Sequence, residues 1–302
     1  MIRLMLIPAL ALFLVGCHPN YTIVEHSDII LTCGEQPRLV VEMVNGPITI
    51  TTAKCKEITG QLTKNGVGMD KEEAEKELKL ITFDSNIVDG KTIIKAKRID
   101  GSTSWNSSGT EATLQIPIGS KVELITSNGS IQVTGKNQGI LAKSSNGSIT
   151  LSGGFSPVDV HTSNTAVRCT DVTGATKIET SNGLINVKGH GLLLDCKSSN
   201  GSIDCTGDLS EGQHKLHTSN SHIGINLPKD SNLNIDAGTS NGKISSDFNI
   251  NKTESNKKNT VLKGTIGIGD PARSLTLKTS NSSISIKKIK EKAAAAANND
   301  DE

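Results

Sequence analysis

The sequence predicts an all-β chain: a parallel β-solenoid, β-helix-like, with rungs of about 18–21 residues and one short amphipathic helix. Three observations carry this. Ser-Asn pairs recur with Asn at 128, 146, 164, 182 and 200, each step eighteen residues, and continue at 220, 241 and 281. Aliphatic residues alternate with polar ones on both sides of each Asn, the period of half-buried strands. Six and four residues before the corner stand, for example, Val122 and Leu124, and three and five after it Ile131 and Val133. Gly commonly follows the Asn, and both residues tolerate left-handed backbone, a mechanism for a tight corner. A fixed length with a fixed register implies rungs stacked strand on strand at roughly 4.8 Å. The forty-residue step from Asn241 to Asn281 fits two rungs, one lacking its corner.

Residues 1–16 read as a signal peptide. Arg3 precedes a twelve-residue apolar run, 4–15, too short for the roughly 20 residues of a membrane span. The run ends in Leu14-Val15-Gly16-Cys17, which resembles the bacterial lipobox. That resemblance implies lipidation of Cys17 and cleavage before it, an anchor of more than one acyl chain. The implied location is the cell envelope, the outer membrane where the host has two membranes. Residues 17–27 then serve as the lipidated cysteine and a linker.

Residues 28–120 are the less regular N-terminal part. Leu39, Val41, Ile48 and Ile50 keep the rung offsets around Asn45-Gly46, which predicts an early rung. Over 70–81 the period changes: Ala74, Leu78 and Ile81 share one face among charges, which predicts a helix covering an end or flank. Ile93-Ile94 and Leu114–Ile116 belong to further strands. Residues 121–290 are the regular repeats, and 291–302 read as a disordered tail.

Stacking turns offsets into columns. Thr or Ser two before the corner and Ser one before it would form hydroxyl ladders, and the Asn an amide ladder. Five before it stand Glu123, Leu141, Asp159, Lys177, Asp195, Lys215 and Asp236. From Asp159 the sign alternates, which favours the register, since opposite charges on adjacent strands attract.

The early Asn-Gly strand pair, the acidic helical insert, Ala-Thr-Leu-Gln-Ile-Pro at 112–117, the tandem Ser-Asn-Gly-Ser-Ile rungs and Lys263-Gly-Thr-Ile-Gly-Ile-Gly together resemble the "putative-adhesin" β-strand-repeat family of unknown function, over roughly residues 35–288. The resemblance implies a surface-binding role, or in some relatives an envelope-stress role, and brings no catalytic residues.

Composition narrows the chemistry. Arg3 is the one charge in residues 1–16, so its removal leaves 31 Lys+Arg against 31 Asp+Glu, which invites no nucleic acid. Aromatics are 2% of the chain, so few rings can stack on sugars or bases. No metal-type spacing and no Cys-x-x-Cys occurs, and neither cofactor nor metal is expected. Gly207–Gly212 and Gly264–Gly269 miss the nucleophile-elbow and phosphate-loop patterns. His214 and His217, three apart in a strand, point to opposite faces, which makes His214 a core residue. Lys143, His161, Glu179, Lys197 and His217 should line one outer column, where Glu179 is the candidate for acid-base chemistry. Among five cysteines after Cys17, Cys33 and Cys55 form the expected disulfide pair. Cys169 and Cys205, two rungs apart, are too distant to bond and read as core residues.

The function these features support is that of a non-catalytic envelope lipoprotein. Its partners would be the membrane through Cys17 and a protein or glycan on its polar face. The alternatives are a periplasm- or wall-facing scaffold or stress regulator, and a polysaccharide-processing enzyme.

Overall fold

The computed structural model describes residues 3–5, 11–13, 21–34, 37–250, 254–255, 260–268 and 271–290. It is a β-solenoid of two facing sheets, joined in each rung by the corner. A first strand such as Lys121–Thr126 lies in one sheet, and after the corner a second, Ile131–Thr134, lies in the other. Both pair in parallel with their counterparts one rung on, Gly139–Ser144 and Ile149–Ser152. In the middle of the molecule the return is itself strand, so Val167–Thr180 and Ile185–Ser198 run from one sheet into the next rung of the other.

The core lies between the sheets. The inward columns are buried through the regular rungs, including Val122, Leu124, Ile149, Leu151, Val160, Leu194 and Ile203. His214 is buried as its offset requires. The Leu194 N–H donates to its Nδ1 at 3.2 Å, and its Nε2 lies 3.0 Å from the Ser210 carbonyl. Desolvation, and after it the nearby Arg273 charge, hold its pKa below the ordinary histidine value of 6.5.

The corner departs from the expected chemistry in two ways. Left-handed backbone is found there at Asn45 alone among the corner asparagines of the described residues. The corner glycine is required by crowding instead: a Cβ on Gly147 would stand 1.7 Å from the Gly129 carbonyl oxygen. The return takes the unusual conformation, as at Gly135 (φ 117°) and Gly153 (φ 134°). The hydroxyls two before the corner do not bond one another. Thr126 donates to the Gly46 carbonyl at 3.0 Å and Ser144 to that of Gly129, satisfying backbone the corner would otherwise strand. The amide ladder forms as expected: Asn128 Nδ2 donates to Asn45 Oδ1 at 2.6 Å, Asn146 to Asn128 at 2.7 Å, and so on to Asn220.

Beyond Asn220 the order of rungs differs from the sequence. Asn281 donates to Asn220 and Asn241 donates to Asn281, so the rung around Asn281 lies between its two predecessors. The strand Arg273–Thr279 pairs with Gly212–His217 on one side and Leu233–Thr239 on the other. The forty-residue step is therefore an excursion rather than two rungs. It holds Thr260–Ile266, which runs back antiparallel on Leu233–Thr239. The N-terminal end mirrors this. Arg38–Glu42 is flanked by Lys121–Thr126 and by Lys91–Arg98, so the chain makes its outermost rung second. That outer rung has no Asn corner; residues 99–108 bridge Lys91–Arg98 to Gly109–Pro117.

Antiparallel strands finish the N-terminal end. Ile81–Val88 pairs with Lys91–Arg98 in one sheet. In the other, Glu57–Gly68 pairs with Gly109–Pro117, and Tyr21–Thr32 with Glu57–Gly68. Residues 3–5 and 11–13 pair in turn with Tyr21–Thr32. Tyr21 to Ser27, expected as linker, are thus the first half of a strand; Cys17 and the tail 291–302 lie outside the described residues.

The helix spans Lys71–Leu80. Asp70 caps it by accepting from the Glu73 N–H at 2.8 Å, while Glu73 accepts at 2.7 Å from the N–H of Met69, the residue before the cap, a variant of the capping box. Ala74 and Leu78 pack with Ile23 and Tyr21, and Ile81, placed on the same face by periodicity, begins the following strand. Gly68 permits the approach, since a Cβ there would lie 2.5 Å from the Ala74 nitrogen. Arg98, its side chain 3% exposed, ties helix to rung by bonding Glu77 at 2.5 Å and Asp100 at 2.9 Å. Those bonds raise its pKa further and lower that of Asp100.

Candidate functional site

The outer face of the first sheet carries the predicted column. Lys143, His161, Glu179, Lys197 and His217 stand opposite one another on successive strands. Their mid-portion borders an open groove of about 490 Å³ floored by hydroxyls. Within it Glu179 lies near the ammonium groups of Lys177 at 3.4 Å and Lys197 at 3.8 Å, and near the His161 ring at 3.4 Å. His161 also contacts Asp159 at 2.9 Å, and Lys197 contacts Asp195 at 3.6 Å. The charges of the two outer columns thus bond across and along strands. This mutual neutralisation suits register control rather than an isolated base. The alternating column stays in register from Asp159 to Lys215, where Thr276 rather than Asp236 comes next. Asp236 instead takes Lys278, at 2.6 Å.

The cysteines form two groups. Cys33 and Cys55 are free, half-buried thiols bordering a cavity of about 500 Å³ with Pro117 and Ile118. Each donates to a backbone carbonyl, Cys33 to Lys56 and Cys55 to Glu57. Partial burial pushes the Cys33 thiol up, and Cys55 beside it adds to the rise. Cys169 and Cys205 are buried with Val187 between them, two rungs apart as expected. The contact that sequence reasoning missed is Cys196, fully buried, whose thiol neighbours that of Cys205 across the core. The signal was available, because the column four before the corner faces the column five after it. The neighbouring Cys205 thiol and desolvation both hold the Cys196 thiol protonated, so these groups act as small apolar side chains.

Among the described residues no group of three or more His, Cys, Asp or Glu is placed to hold a metal ion. No described helix is long and apolar enough to cross a membrane.

Two sheets closed by in-register corners, with an N-terminal helical insert and antiparallel ends, define the class: a capped β-solenoid. The chain belongs to the Toastrack DUF4097 family, whose model matches residues 37–287. Among solved structures it is similar to a "putative cell adhesion protein" from Clostridium sporogenes, at 14% identity, with 88% of this chain and 100% of that chain covered and a TM-score of 0.30. It is also similar to a "putative adhesin" from Bacteroides fragilis, at 11% identity, covering 88% and 97%, with a TM-score of 0.30. No curated protein matches it.

Proposed function

We propose that this protein is a non-catalytic envelope lipoprotein, anchored through Cys17, that presents its solenoid faces to a partner outside the membrane. The carrying observation is the character of those faces. They are in-register sheets whose outward columns are polar, such as Thr49, Gln132 and Thr150, and whose charged groups largely bond one another. Such a surface suits extended contact with a protein or glycan. The test is protease shaving of intact cells, with Cys17→Ser as control. Digestion of the anchored protein supports the reading. Full protection until the envelope is opened would replace it with a periplasm- or wall-facing scaffold or stress regulator.

The enzymatic alternative would centre on Glu179, and turnover of any envelope glycan that Glu179→Gln abolishes would establish it. Cys33 and Cys55 are free thiols here, and we propose that they close a disulfide in an oxidising envelope. Non-reducing peptide mapping that recovers both as free thiols would remove that part of the proposal.

A further inference from the structure

At the N-terminal end of the first sheet, three cations from distant parts of the chain share a row. Lys91 stands opposite Arg38, and Arg38 opposite Lys121, each roughly 4.8 Å from the next. All three are exposed, and among the described residues none makes an ion pair or a side-chain hydrogen bond. Like charges directly opposite on adjacent strands repel. Elsewhere on this sheet Lys95, Lys177, Lys197 and Lys278 each contact a carboxylate. The row ends at Gly139, opposite Lys121, where no side chain continues it. Beside it lies an open groove of about 340 Å³, in which Glu123 is flanked by Val40 and Leu141.

We propose that this groove binds an anionic polysaccharide laid along the stacking axis. Acid groups of the glycan meet Lys91, Arg38 and Lys121 in turn. Glu123 accepts from sugar hydroxyls, and the apolar faces of the rings rest on Val40 and Leu141. A repeating anion answers a repeating cation, which is the complementarity that an unrelieved like-charge row supplies. A membrane plane fits less well. The row is narrow, and Glu123 and Asp159 border the same groove, where a bilayer would ask for a broad basic face. The inference deepens the proposed binding role and rests on it.

The test uses the full-length chain carrying Cys17→Ser and polygalacturonate as the probe, with neutral dextran as control. Binding to polygalacturonate alone is expected, weakening as salt is added. The triple substitution Arg38→Gln, Lys91→Gln, Lys121→Gln should weaken it about tenfold. Removing three dispersed lysines by Lys143→Gln, Lys188→Gln and Lys215→Gln should leave it nearly unchanged. The first triple variant should melt no lower than the parent, because repulsion is relieved; should it fail to fold, Lys91→Gln alone carries the test. Absent binding, equal loss in both triple variants, or tighter binding to phosphatidylglycerol vesicles with the same dependence would overturn the inference. A chain shaved from the cell surface that ignores polygalacturonate sinks the groove and leaves the binding role standing. A protected chain that still binds it sinks the surface location instead.

Discussion

The middle of the molecule and its two ends obey different rules. From Asn128 to Asn220 each rung stacks on the one just made, in parallel, with the same columns and corner bonds. At both ends the order of rungs departs from the order of the chain: the N-terminal outermost rung is made after the one it covers, and the C-terminal outermost rung before the one inserted inside it. Antiparallel strands cover the first sheet at both ends, and the second sheet ends at the C-terminal side in the three-residue strand Ile244–Ser246. The difference teaches that a repeat specifies propagation but not termination. A stacked sheet would present open backbone groups at each end, and short or antiparallel edges blunt them. The cost is contacts between residues far apart in sequence, which slow folding.

Substitutions can break this comparison, starting with the largest effect. Arg98→Met should cost about 3–5 kcal/mol, because it strands the Glu77 carboxylate under the helix. Hydrogen exchange should show protection lost mainly over the helix and its neighbouring strands, with the middle rungs retained. Uniform loss would mean that ends and middle form one cooperative unit. Gly147→Ala, which drives a Cβ into the Gly129 carbonyl, should cost about 3 kcal/mol by chemical denaturation. Gly90→Ala, at an end turn with open space around it, should cost about 1 kcal/mol for its positive φ.

The amide ladder separates middle from end more finely. Asn164→Ala removes two ladder bonds, and Asn241→Ala removes one. At about 0.5–1 kcal/mol for each exposed bond, the first should destabilise about twice as much as the second. Equal effects would show that the ladder is ornamental to stability. The smallest effect is pH-dependent. Because the folded pKa of His214 is lowered, the unfolded chain takes up its proton first as pH falls. Stability should be full above about 6.5 and decline below it, until the folded histidine also protonates. His214→Leu, matching its neighbours Leu194 and Leu275 in the column, should flatten that part of the thermal-midpoint profile.

What the sequence revealed follows the same division. Corners, inward columns, the helix and the burial of His214 were legible, because each depends on spacing within one or two rungs. The places of Asn241 and Asn281 were not, since an interval along the chain says nothing about which edge a strand joins. The outermost N-terminal rung carries no Ser-Asn to mark it. Lys91, Arg38 and Lys121 look unrelated until rung order makes them neighbours. The corner glycine was found for the wrong reason, since its demand comes from the carbonyl of the next rung rather than from its own dihedrals.

The amide ladder also bears on the chemical ageing of the protein. Asparagine is a heat-labile residue whose side chain can hydrolyse to a carboxylate. Each inner amide of the ladder donates through Nδ2 to one neighbour and accepts through Oδ1 from the other. Conversion of Asn146 would set an anion against Asn128 Oδ1, an acceptor facing an acceptor, while leaving the bond from Asn164 intact. Damage at one rung therefore has a direction. It cuts the link to the rung before it and spares the link to the rung after it, so an old molecule would carry its breaks as polarised seams.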